Sequence, residues 1–248
     1  MPETSPSSCP KTTLSISGKG PDGVFTLGGR GKAKASFALK QSGVHEIYAT
    51  SSHASTADGF GLAMALRVSD PPLIWICGTR DRYENGELDG SGLNEWGLTP
   101  EALFLVRVPD VRSLLAAGEE ALRSGTARAV VMSHYGEAQA FTLTASRRLF
   151  LAAEQGGATA ILIRAGAQPQ PSAAETRWSV KAAPSRALEA RAPGRPAFKV
   201  SLLRSRAGLA TGEWTMEWDR ETRSFVEPEA SGRLVPVSAR RPVGVRAA

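Results

Sequence analysis

The chain has 248 residues, 42% of them hydrophobic, and a formal net charge of +6. That length allows one or two domains around a sizeable core. No apolar run nears the roughly 20 residues of a membrane-spanning helix, and the N-terminal MPETSPSSCPKTT lacks the apolar stretch of a secretory signal. Two cysteines, Cys9 and Cys77, make no disulfide framework, so the default expectation is a cytoplasmic location.

Residues 1–20 are rich in Ser, Pro and Lys and are expected to be a disordered tail. One α/β domain is expected over 21–228, with a core at about 43–165, an extension at about 175–228 and a flexible tail over 229–248. Gly43–Tyr48 reads as the first strand, followed by a small-residue loop and the amphipathic stretch Gly61–Leu66. Leu73–Gly78 is a second strand and Leu103–Val108 a third, entered through Thr99-Pro100-Glu101 with proline at the first position of a turn. Asp110 can cap a helix whose Val111, Leu114, Leu115, Gly118 and Leu122 share a face, and Gly125 can end it. Ala127–Met132 is another strand. Thr144 is expected to cap a helix that stops at Gly156-Gly157, and Thr159–Arg164 is a fifth strand. Continuous apolar strands separated by helices predict a doubly wound, mainly parallel sheet covered on both faces.

After Arg164 the helices stop. Thr176–Val180, Ala197–Leu203, Glu213–Trp218 and Ser224-Phe225-Val226 read as an antiparallel C-terminal extension. Trp214, Met216 and Trp218 alternate with Thr215 and Glu217, giving that strand one apolar face.

The loop ATSSHAST at 49–56 sits between strand and helix, where a phosphate loop GxxxxGK[ST] would lie. The spacing survives but the chemistry does not. Ala49 and Ala54 stand at the glycine positions, Ser55 at the lysine position and Thr56 at the hydroxyl position. Glycines let backbone amides converge on phosphate, and lysine supplies the fixed charge. Only Thr56 retains its role, and His53, mostly neutral at pH 7, is a poor substitute for the lysine. No catalytic residue, metal ligand set or cofactor is assigned. His45, His53 and His134 lack metal-ligand spacing, although His53 and His134 both end strands.

The charge is unevenly placed. From Arg177 onward there are 14 basic and 7 acidic residues, against 16 and 17 before it. Arg177, Lys181, Arg186, Arg191, Arg195, Lys199, Arg204 and Arg206 face one acid, Glu189, and form the candidate surface for an acidic partner. A solvated loop is the plainer alternative. Trp178, Trp214 and Trp218 are candidates for stacking on bases, with half-buried strand aromatics as the simpler reading.

The block from Val44 to Arg164 resembles the ATPase core of the RecA family. The strings LTASRRLFLAAEQGGATAILIR, ETRWSVKAAPS, GRPAFKVSLLRSRAG and GEWTMEWDRETRSF resemble the ImuA family of RecA-like accessory proteins in damage-induced mutagenesis. The resemblance implies a RecA-like fold. Where a RecA-type ATPase places its magnesium-binding aspartate, this chain has Ser133, so the resemblance implies a non-catalytic scaffold. The implied partners are an ImuB-type inactive polymerase and an error-prone replicative-type polymerase. RecA, DNA itself and a second copy are further candidates, and no membrane is expected. The alternatives are a residual nucleotide-binding ATPase and an SOS cell-division inhibitor of the SulA type.

Overall fold

A computed structural model describes residues 15–17, 26–28, 41–81, 83, 86–185, 192 and 194–228. The tail expected over 229–248 lies outside these residues, as does most of that over 1–20. Ser15–Ser17 (β1) pairs antiparallel with Thr26–Gly28 (β2).

Nine further strands make one sheet. They are β3 (Val44–Ala49), β4 (Leu73–Gly78), β5 (Leu103–Val108), β6 (Ala129–Tyr135), β7 (Thr159–Ala165), β8 (Thr176–Ala182), β9 (Ala197–Ser205), β10 (Gly212–Asp219) and β11 (Ser224–Val226). Their order is β11-β10-β9-β8-β3-β7-β6-β4-β5. The six strands from β8 to β5 run parallel. From β8 to β11 each pairing is antiparallel. This is the expected α/β architecture with its antiparallel extension.

Four helices belong to the described chain: α1 (Ala54–Val68), α2 (Gly90–Glu95), α3 (Val111–Ser124) and α4 (Leu143–Gly156). Helix α1 covers one face of the sheet, and α3 and α4 cover the other. Asp110 caps α3 as expected, its carboxylate accepting from Ser113 N at 2.8 Å, and Gly125 ends it at φ +64°. Pro100 opens a short 3-10 turn, Pro100–Ala102.

Three local expectations are corrected. Thr142, not Thr144, caps α4. Its hydroxyl accepts from Ala145 N at 3.1 Å from an extended backbone, whereas Thr144 lies inside the first turn. The stretch Gly61–Leu66 is not amphipathic but buried on all sides. The sheet lies beneath it, and Phe60, the preceding α1 residue, meets the rings of Trp178, Phe198 and Phe225 from the extension at 5.3–6.2 Å. Finally, β5 is apolar yet uncovered. It forms the sheet edge, with Phe104, Leu105 and Val106 at 55%, 36% and 37% exposure. Helix α2, which the sequence reading passes over, is capped by Asp89 through Gly92 N at 2.9 Å.

The ends of α3 and α4 meet almost without clearance. A Cβ on Gly156 would lie 1.9 Å from the Leu122 carbonyl oxygen, a backbone atom that cannot swing aside. Gly156→Ala should therefore lower the unfolding free energy by about 1–3 kcal/mol in urea denaturation. An unchanged midpoint would mean that the two helices can separate at no cost.

Candidate functional site

Strand β3 delivers the chain into the loop at the C-terminal edge of the sheet, where open α/β folds bind ligands. Ala49 is the last residue of β3 and is buried. The loop then closes as a 3-10 turn, Ser51–His53, that runs directly into α1. His53 N donates to Thr50 O at 2.9 Å and Ala54 N donates to Ser51 O. Amides that a phosphate loop would aim at its ligand are thus engaged within the turn. Ala54 has ordinary helical angles, φ −58° and ψ −52°, so alanine is unstrained here. Ala54 is buried, Ser55 is exposed and Thr56 is half-buried. His53 accepts from Ala182 N on β8 at 3.4 Å, while His134 sits beside Asp81, so the two histidines have separate partners. His45 is buried on β3 with Nδ1 2.7 Å from Thr176 Oγ1.

Ser133 lies near the end of β6, two strands from β3. Its hydroxyl donates to Asp58 Oδ1 at 2.7 Å. Asp58 projects from the second turn of α1, so a carboxylate reaches the end of β6 from a neighbouring element. Burial pushes the Asp58 carboxyl up from 3.8 to about 6, with the Ser133 hydrogen bond opposing and the Asp81 carboxylate reinforcing. The sequence reading misses Asp58. Its signal was available: it is the only acidic residue in α1, whose ten following positions are Gly and apolar apart from Arg67.

Beside this pair a cavity of about 250 Å³ opens between α1, α2 and the strand ends. Leu62, Trp75, Leu93, Trp96 and Leu105 give it an apolar lining, while Asp58, Asp81 and Ser133 stand at its polar wall. Gly59 admits the Trp96 indole: a Cβ there would lie 2.8 Å from the ring. Cys77 is half-buried in the same wall, and burial pushes its thiol up. Across the mouth, Arg107 pairs with Glu87 at 3.3 Å.

The basic residues divide. Arg177 is an internal strut: its Nε donates to Glu46 on β3 at 2.9 Å and its guanidinium also reaches Ser172. Arg195 pairs with Asp219 at 3.0 Å, Lys199 with Glu213 at 3.1 Å and Arg206 with Glu175 at 3.7 Å. Arg204 donates to the Ser172 carbonyl. Lys181 is exposed and lies directly opposite Lys199 across β8 and β9. Arg186 and Arg191 lie outside the described residues. Trp178 and Trp218 are buried with their indole N–H groups on Thr176 Oγ1 and the Trp96 carbonyl, and half-buried Trp214 packs on Trp178. These indoles are packing residues. Ser146 on α4 is buried and accepts from Ala173 N at 3.0 Å.

Fold and site together define an open α/β protein with a strand–turn–helix at the ligand-binding edge of its sheet. Ala49 closes β3, and Ala54 and Ser55 open α1 after that turn. The chain belongs to the ImuA family. It is 30% identical over 230 residues to Protein ImuA of Caulobacter vibrioides, in strains NA1000 / CB15N and ATCC 19089 / CIP 103742 / CB 15, with 84% of each chain covered. No family model matches it. The crystal structure of SulA from Pseudomonas aeruginosa is similar over 50% of this chain and 98% of its own, at 24% identity and a TM-score of 0.39.

The raised Asp58 carboxyl carries a stability signature. Its folded value lies above its unfolded one, so the native state takes up a proton between about pH 4 and 6 and loses stability as pH rises through that window. Above it, the ionised form costs about 3 kcal/mol at about 1.4 kcal/mol per pH unit. Asp58→Asn, which still accepts from Ser133, should therefore stabilise the protein by about 1–3 kcal/mol at pH 7.5. That advantage should vanish below about pH 4. Melting curves at the two pH values check this, and a loss of stability at pH 7.5 would contradict it.

Proposed function

We propose that this protein is a non-catalytic, RecA-like accessory scaffold of damage-induced mutagenic DNA synthesis. In this reading it holds an ImuB-type polymerase homologue and supports an error-prone replicative-type polymerase, with RecA and DNA as further partners. Membership of the ImuA family supports the setting. The observation that carries the non-catalytic part is the loop: His53 and Ala54 amides close a 3-10 turn, and no cation stands at position 55. Phosphoryl transfer relies on positioning and charge neutralisation, and both are missing from the aligned positions. Among the described residues no helix is long and apolar enough to cross a membrane.

One observation favours the second reading, residual nucleotide binding: Asp58 brings a carboxylate to Ser133. The two are separated by turnover. The scaffold reading expects no magnesium-dependent ATP hydrolysis above background, and none from Ala54→Gly combined with Ser55→Lys, because Ser133 supplies no acid on β6. Wild-type turnover abolished by Asp58→Asn would establish the second reading instead.

The partner surface is assigned to the open face of β8 and β9, around Lys181 and Lys199. Arg195, Arg204 and Arg206 flank it, and Arg186 and Arg191 belong to the same stretch of sequence. Arg177 stays in the set only as the strut that holds β8 to β3. The double variant Lys181→Glu, Lys199→Glu should weaken capture of the polymerase partner or of single-stranded DNA. For DNA, the wild-type affinity should fall steeply with salt and the variant's slope should be shallower by about 2, one per lost phosphate contact. For a protein partner, salt should mainly slow association. Unchanged binding to both would make this face a solvated one.

A further inference from the structure

We propose that β5 is the contact through which two copies of this chain pair, antiparallel and edge to edge, about a two-fold axis at Leu105. The inference gives a surface to the second copy named among the candidate partners and does not rest on the scaffold reading.

The first argument is the free edge. β5 is the last strand of the sheet, and among the described residues no strand pairs with its outer side. The ladder shows which of its backbone groups are open. Thr79 N donates to Val108 O at 2.8 Å just beyond the end of β4, and β4 and β5 are parallel. Alternate residues of a strand bond to opposite sides. Phe104, Val106 and Val108 therefore turn their amides and carbonyls inward to β4, and Leu103, Leu105 and Arg107 turn theirs outward. Such an edge is a template for another strand, and proteins blunt it with proline, lysine or a bulge. From Leu103 to Val108 the one charged residue is Arg107, and the register with β4 runs without a shift.

The second argument is self-complementarity. Antiparallel pairing sets outward-bonding residues opposite outward-bonding residues. With the axis at Leu105, Leu105 meets its own copy and Leu103 meets Arg107, each pair exchanging both backbone bonds. Phe104 then lies opposite Val106 in the closer, unbonded pairs, an aromatic against a β-branched side chain. The exposed apolar residues Phe104, Leu105 and Val106 all gain apolar partners. The neighbouring registers fit less well. An axis at Phe104 needs Glu101 to supply ladder bonds from within the 3-10 turn Pro100–Ala102. An axis at Val106 sets Leu103 opposite Pro109, which has no N–H.

The third argument is charge. With the axis at Leu105, Arg107 faces Leu103 of the second copy. Glu101 of the second copy stands two positions before that leucine, within the diagonal reach of a long side chain. Both Arg107 and Glu101 are exposed. Glu87 of its own chain already holds Arg107 at 3.3 Å, so the second acid meets a guanidinium that is in place. The two-fold makes this contact twice.

The test is the mass of the full chain by sedimentation equilibrium. It should double with concentration, with a dissociation constant in the micromolar range or below. Leu105→Lys, which sets two ammonium groups face to face at the axis, should raise that constant at least tenfold with the circular dichroism spectrum unchanged. Two single cysteines, each in a Cys9→Ser background, then read the register. Residues directly opposite in a bonded pair lie about 5.5 Å apart at Cα, within the span of a disulfide. Leu105→Cys should therefore cross-link two chains on mild oxidation. Phe104→Cys should not, because its own copy lies on the diagonal at about 7–8 Å. If Leu105→Lys does not fold, the wild-type mass and the two cysteine variants decide. The mass of one chain at every concentration up to about 0.5 mM, a folded Leu105→Lys that pairs as the wild type, or cross-linking through Phe104→Cys and not Leu105→Cys would each overturn the proposal.

Discussion

Helix α1 is buried without interruption from Phe60 to Leu66, and the rest of the molecule is arranged around that fact. An ordinary surface helix hides one stripe and shows the other. Here the sheet reaches under the helix along its whole length, and aromatic rings from its extension strands β8, β9 and β11 meet Phe60. The antiparallel extension is therefore part of the core. Without Trp178, Phe198 and Phe225, the α1 surface around Phe60 would face water at roughly 25 cal/mol per Å² of apolar area. The same fixation determines the site. A helix that cannot shift holds Asp58 against Ser133 and keeps the turn before it closed.

The extension is joined to the core by charge as well as by packing. Glu46 on β3 receives Arg177 from β8, and Tyr48 stands next to both. Arg164 on β7, almost wholly buried, lies 4.3 Å from the Phe141 ring and donates to the Tyr48 hydroxyl. Breaking a buried pair by removing one partner leaves an uncompensated charge and is strongly destabilising. Part of the basic excess in the C-terminal third is thus structural. The even spacing of arginines along the sequence conceals this, because linear charge says nothing about which acids the fold brings alongside.

The strands were the most legible feature, since the runs at Leu73–Gly78 and Leu103–Val108 are bounded by clear turn residues. The Asp110 and Gly125 caps were legible for the same local reason. What failed was non-local. The run Leu103-Phe104-Leu105-Val106 looks like an interior strand because composition cannot distinguish the middle of a sheet from its rim. Gly61–Leu66 looked two-sided because composition cannot tell how much of a helix its neighbours will cover. Thr142 and Thr144 are equivalent on paper, and only the backbone entering α4 chooses between them. Of the loop, the lost glycines and lysine could be read directly. The closed turn could not, and Asp58, though conspicuous as the one acid of α1, could not be placed against Ser133, because both depend on how α1 is seated. Two glycines in α2 hid a helix from any propensity argument.

The two rims of the sheet are unequal. At one end β11 offers three residues; at the other β5 offers six, with an apolar centre and no proline or lysine to discourage pairing. A sheet with one long free rim can be lengthened from that side alone. When two copies meet through the same rim the contact is isologous and uses up both. An assembly that pairs β5 with the β5 of a second copy therefore ends at a closed pair.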